Sequence, residues 1–166
     1  AYGNDFKYGR VKSKNLSYWD LKTDRLVVHE IAHEWFGNSI TTNDVTDRWI
    51  HEGFAGYAEE LFIEYKYGKK AATEFFEART IGKTKNTETL IRRYGIFENG
   101  GSYVYLRGWK LIHMLRTIVD DDVKFRQILR KTNQKFYHKT INSTELEEFF
   151  SKMSGQDLQQ EGEVPS

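Results

Sequence analysis

The segment His29-Glu30-Ile31-Ala32-His33 constrains this chain more than any other. Histidines at i and i+4 stand one above the other on a helix, so both imidazoles reach a single metal ion there. Zinc takes imidazole nitrogen at about 2.0–2.1 Å and, in catalytic sites, keeps one position open for water. Glu30, beside the first histidine, stands where a carboxylate accepts a proton from that water. Leu26, Val27, Val28, Ile31, Ala32, Trp35 and Phe36 surround the motif, which predicts a buried amphipathic helix. Gly37-Asn38 then reads as its stop. The bland alternative is a pair of core histidines. Glu30 counts against it, because a carboxylate packed near that face needs a partner.

Two protein ligands are one short of the usual catalytic set. The stretch from Asp47 to Glu60 also reads as a helix, with Thr46 or Asp47 as its cap. Trp49, Glu52, Gly56, Glu59 and Ile63 share one of its faces, and Phe54, Tyr57, Ala58 and Leu61 build another. A loop over Ser39 to Val45 is long enough for the two helices to pack together. Glu52 is then a third ligand facing His29 and His33, and spacing alone leaves His51 as its competitor.

The run Val28 to Asn38, followed by Trp49-Ile50-His51-Glu52-Gly53-Phe54-Ala55, resembles the gluzincin aminopeptidases, the group that includes aminopeptidase N and leukotriene A hydrolase. That group carries HExxH, eighteen further residues, then a glutamate, and from His33 the count lands on Glu52. The resemblance implies one zinc ion held by His29, His33 and Glu52, with Glu30 as general base. His51 stands where the group commonly has asparagine, and is read as a neighbour of the site. The group's catalytic tyrosine precedes a Lys/Arg-Gly pair at a helix start. Tyr105-Leu106-Arg107-Gly108 matches that pattern, with Tyr103 as the nearest competitor, and implies Tyr105 as the donor to the developing oxyanion.

Glu59 lies two helical turns after Glu52 on the same face. It is either a carboxylate partner for a ligand histidine or a solvated helix residue. Glu60, Glu64 and Lys66 read as surface charges, and the basic cluster Lys66, Lys69 and Lys70 as a solubility feature. Further helices are expected over Ala71 to Ile81, Arg107 to Val119 and Val123 to Phe136, the last capped within Asp120-Asp121-Asp122. Ser143-Thr144 with Glu147 reads as a capping box for a helix to Met153 that Gly155 ends. His113 reads as packed or exposed, not as a ligand. Tyr2 to Val11 is the best candidate for extended structure.

Composition agrees with one compact domain of 166 residues whose packing leans on 15% aromatic residues. A net charge of +1 with dispersed basic residues argues against nucleic acid as a partner. The absence of cysteine excludes disulfides and thiolate metal sites. Neither a signal peptide nor a membrane span is legible, and the compartment stays open.

The expected architecture is therefore mainly α, the helical portion of a thermolysin-like zinc metallopeptidase catalytic domain with a short extended N-terminal segment. It spans residues 1–158, with a polar tail at 159–166. The chain opens without methionine and looks like an excised piece: the family's Gly-x-Met-Glu-Asn-like amine-binding strand and its flanking domains are not matched. The implied activity is peptide hydrolysis on peptide or N-terminal aminoacyl substrates. Two alternatives accompany it, a zinc-stabilised scaffold that has lost catalysis and a relative that opens epoxides.

Overall fold

A computed structural model describes residues 18–19, 23–82, 90–91, 93–95 and 103–156. Its elements are α1 (Arg25–Ala32), β1 (Ile40–Thr42), a single 3-10 turn (Val45–Asp47), α2 (Arg48–Tyr67), α3 (Lys69–Thr80), α4 (Tyr103–Val119), α5 (Asp122–Lys135), β2 (Lys139–Ile141) and α6 (Ser143–Ser154). Helix dominates, as the periodicity predicts. The extended structure expected at Tyr2 to Val11 lies outside the described residues.

Helix α2 is the axis of the fold. Eleven of its twenty residues are buried, so it presents core to several sides at once. It packs against α1, α3 and α4. Its closest neighbour is α4, and two glycines set that approach. A Cβ placed on Gly53 lies 2.7 Å from the Gly108 carbonyl carbon, and one on Gly108 lies 2.9 Å from both Gly53 Cα and Trp49 O. Only hydrogen fits at either position, so the two backbones touch there. The apolar core continues through Trp49, Ile50, Phe54, Tyr57 and Ile63 of α2 to Trp109, Ile112, Phe125, Phe149 and Phe150. Phe36, just past α1, stacks on Phe54 with ring centroids 3.9 Å apart and ties α1 to α2.

Helix α1 ends earlier than its apolar pattern suggests. His33, Glu34 and Trp35 form turns, and within the helix only His29 and Ala32 are buried. Ile31 is 53% and Trp35 51% exposed. The physical reason is the angle: Ile31 lies about 200° around the helix from His29, so both cannot face α2. Asp24 caps the start of α1, its side chain accepting from Val27 N.

Three other expectations shift. Asp47 sits at the cap position just before α2 but makes no side-chain cap bond. Its Oδ1 instead accepts from Ser143 N, Ser143 Oγ and Tyr94 OH, which joins the start of α2 to the start of α6. Thr46 does not cap α2 either; its hydroxyl donates to Arg93 O. The capping box of α6 is Asn142 with Glu145, two residues earlier than the expected pairing of Glu147 within Ser143-Thr144, because Asn142 holds the extended backbone that a cap requires. Asp121 caps α5 through Val123 N and Lys124 N, and left-handed Gly155 closes α6.

The stretch between α1 and α2 is more than a loop. Ile40, Thr41 and Thr42 pair in parallel with Lys139, Thr140 and Ile141, pinning the exit of α1 to the C-terminal helices.

Candidate metal centre

The crossing of α1 over α2 brings His29, His33 and Glu52 together. One ligand atom from each lies within 4.8 Å of the others, and they form the only such group among the described residues. Glu52 Oε2 is 3.2 Å from His29 Nε2 and 3.6 Å from His33 Nε2. The other ring nitrogens have partners of their own. His33 Nδ1 is 3.0 Å from Phe36 O, a pure acceptor, so Nδ1 carries a proton and donates there, while Nε2 faces Glu52. His29 Nδ1 is 2.9 Å from Glu59 Oε1.

Glu59 is buried, and its second oxygen accepts from Arg25 Nη1 at 3.3 Å. Glu60 and Glu64, expected as surface charges, are not. Glu60 is 2% exposed and accepts from Trp109 Nε1 at 2.6 Å, with His113 Nδ1 at 2.8 Å. Glu64 is paired with Arg116. Burying a carboxylate requires such partners, and those of Glu60 and Glu64 come from α4, distant in sequence.

Electrostatics follow from this packing. Burial alone pushes the His29 imidazole down, but hydrogen bonds and charge from Glu52 and Glu59 outweigh it and raise its pKa to about 9. Burial works against ionised Glu52, yet its bonds to His29, Tyr105 and Arg48 hold its carboxyl below the usual range. His51 lies outside the triplet. Burial, then the nearby His33, depress its pKa, so its imidazole is neutral.

A cavity of about 470 Å³ opens beside the triplet, with Glu30, Arg48 and Tyr105 also on its wall. Glu30 is exposed on that wall. Tyr105, in the first turn of α4, stacks its ring against His29 with centroids 6.0 Å apart. Its hydroxyl accepts from Arg48 Nη2 at 2.9 Å, and burial followed by the Glu52 charge raises its pKa. Tyr103 is not among the residues lining this cavity. Two arginines escaped the sequence reading, Arg25 and Arg48. Each stands four residues before a residue of the cluster, a spacing that places both on the same helix faces as His29 and Glu52.

The donors suit a zinc ion. Two imidazoles have Nδ1 anchored by acceptors and Nε2 converging, and one carboxylate closes the set, which is the His₂Glu composition of catalytic zinc sites.

A family model described as the peptidase family M1 domain matches residues 12–161. The chain belongs to peptidase family M1. Among proteins of this family, leucine aminopeptidase 2 of Vanderwaltozyma polyspora is 27% identical over 174 residues, covering 89% of this chain and 26% of that protein. A solved M1 zinc metallopeptidase, a point mutant from Deinococcus radiodurans bound to a Tyr-Ser-Ala substrate, superposes with a TM-score of 0.68 at 30% identity. That match covers 83% of this chain and 31% of the other. Leukotriene A4 hydrolase from Saccharomyces cerevisiae superposes with a TM-score of 0.72 at 21% identity, over 88% of this chain and 25% of that one, a likeness of fold alone. This M1 chain thus spans about a quarter to a third of the length of these relatives, and its helices correspond to the helical part of an M1 catalytic domain.

Proposed function

We propose that this chain is the metal-bearing helical part of a zinc aminopeptidase catalytic domain, with His29, His33 and Glu52 as ligands of one zinc ion. The observation that carries the reading is the convergence of three ligand atoms within 4.8 Å on the wall of a cavity that Glu30 and Tyr105 also line. Zinc, when bound, supplies Lewis-acid polarisation of a carbonyl and acidifies a water.

The chain's own residues carry the remaining work. Glu30, exposed to the cavity, takes the proton from the attacking water and hands it to the leaving amine. Tyr105 donates its hydroxyl to the carbonyl oxygen as negative charge develops there. Glu59 fixes the ring of His29 through Nδ1, and the Phe36 carbonyl does the same for His33. Substrates are peptides or N-terminal aminoacyl compounds, as supported by relatives named as aminopeptidases and by the metallopeptidase solved with a tripeptide. Among the described residues no helix is long and apolar enough to cross a membrane.

Glu30→Gln tests the assignment. It is expected to keep one zinc per chain while hydrolysis of an aminoacyl reporter falls at least about 10²-fold, the usual scale of a general base. Undiminished turnover would remove Glu30 from the mechanism. Cleavage confined to N-terminally blocked peptides would overturn the aminopeptidase reading while leaving the metal site standing.

A further inference from the structure

Arg48 stands at a junction that the metal site alone does not require. It is the first residue of α2, where a cation faces the positive end of the helix dipole, and the first turn of the helix itself holds no acidic residue. A local cost of this kind is common where a side chain serves a site. Its guanidinium reaches forward one turn to Glu52. Arg48 Nε and Nη2 both bond Glu52 Oε1, at 3.1 and 3.0 Å. Nη2 also donates to the Tyr105 hydroxyl at 2.9 Å. Meanwhile it is the other oxygen, Oε2, that faces His29 Nε2 and His33 Nε2.

The two carboxylate oxygens therefore have separate duties. We propose that Arg48 is a positioning residue that occupies Oε1 of Glu52, so that only Oε2 is offered to the metal, and that orients the Tyr105 hydroxyl with the same guanidinium. This inference rests on the reading of His29, His33 and Glu52 as the ligand set. A carboxylate left alone beside a metal can offer both oxygens, which raises the coordination number and fills space that water and substrate need. The planar arginine fork prevents this by bonding one oxygen twice. For Tyr105 the consequence is direction. Its oxygen accepts from Arg48, so its own O–H remains a donor.

An i,i+4 arginine–glutamate pair is often mere surface decoration. Here Glu52 is buried, and Arg48 couples it to a tyrosine 57 residues away on α4, which a decorative pair does not do.

Cobalt(II) added to the 166-residue chain reports coordination directly, because visible absorption is strong for low-coordinate cobalt and weakens as ligands are added. The unmodified chain is expected to give the strong spectrum. Arg48→Met is expected to lose visible intensity as Oε1 becomes a second ligand atom. Arg48→Lys keeps the charge and stem but not the fork, and is expected to lose intensity in smaller measure. Thermal melts of both variants establish that they fold, and whichever folds carries the test. A merely structural arginine shifts the melt and leaves the spectrum alone. The unmodified spectrum in the folded variants overturns the proposal. Glu52→Ala separates the two levels of the reading. If it alters the spectrum while Arg48→Met does not, only the Arg48 role fails. If it alters nothing, or the unmodified chain takes up no cobalt, the ligand set itself fails and the Arg48 role with it.

Discussion

The contact between Gly53 and Gly108 holds the helix that carries Glu52 against the helix that carries Tyr105, and Gly53→Ala tests it quantitatively. The added Cβ meets Gly108 C at 2.7 Å, Gly108 Cα at 2.8 Å and Gly108 O at 3.0 Å. Carbon atoms rest at about 3.5–4.0 Å, so the helices must separate by roughly 1 Å. No rotamer change relieves this, because all three atoms are backbone. Overpacking costs about 1–3 kcal/mol, and a backbone clash belongs at the upper end, about 3. Alanine returns about 1 kcal/mol of helix propensity, which leaves about 2 kcal/mol of net destabilisation. For a chain of this size each kcal/mol moves Tm by about 2–4 °C, so the melt should fall by about 4–8 °C. Gly56→Ala on the same helix is the internal control. Its Cβ would lie 3.4–3.6 Å from atoms of the Trp109 side chain, a tight but adjustable contact, so the clash is largely absent. Circular dichroism melts of both variants make the comparison. Gly53→Ala melting at or above the unmodified chain, or no lower than Gly56→Ala, would refute the close-contact account. The same substitution should lengthen the Arg48–Tyr105 bond, since its partners sit on the two separated helices.

Two further predictions concern groups around the site and at the far end of the fold. Glu59→Gln removes the carboxylate at His29 Nδ1 and should weaken zinc binding about 10–100-fold in chelator competition; unchanged affinity would make Glu59 a packing residue only. Asp122 is held at about 2 by its bond to Arg116, with Lys69 adding to the effect. Its folded pKa lies below the unfolded 3.8, so its contribution is complete above about pH 4 and is lost as pH falls through 2. The side chain is 40% exposed, which limits that contribution to about 1 kcal/mol or less. Urea midpoints of Asp122→Asn and the unmodified chain should therefore differ at pH 7 and converge between pH 4 and pH 2. A gap that stays constant with pH would contradict the ion pair.

The parts of this molecule legible in the sequence are those with local spacing. His29 and His33 share a helix face, Glu52 follows at a distance that permits a second helix to cross, and two faces of α2 with buried aromatics are plain, one in Trp49 and the other in Phe54 and Tyr57. Asp121 and Gly155 announce helix ends through their own side-chain and backbone chemistry. What stayed hidden depends on contacts distant in sequence. The pairing of Ile40–Thr42 with Lys139–Ile141 joins two three-residue strands almost a hundred residues apart, and exposed Lys139 and Thr140 give no alternating pattern. Glu60 and Glu64 look like solvated helix charges until α4 brings Trp109, His113 and Arg116 to them. Ile31 and Trp35 look like core because they are apolar, yet the helix angle turns Ile31 outward and Trp35 lies in the turns past the end of α1. Arg48 resembles any i,i+4 partner of Glu52 until its bond to Tyr105 is seen.

The central claim is one metal ion held by His29, His33 and Glu52, and metal stoichiometry tests it most directly. After equilibration with zinc and dialysis, elemental analysis should find one zinc per unmodified chain and a large loss in His33→Ala and in Glu52→Ala, with both variants still folded. Zinc retained at one per chain by either folded variant, or none bound by the unmodified chain, would contradict it.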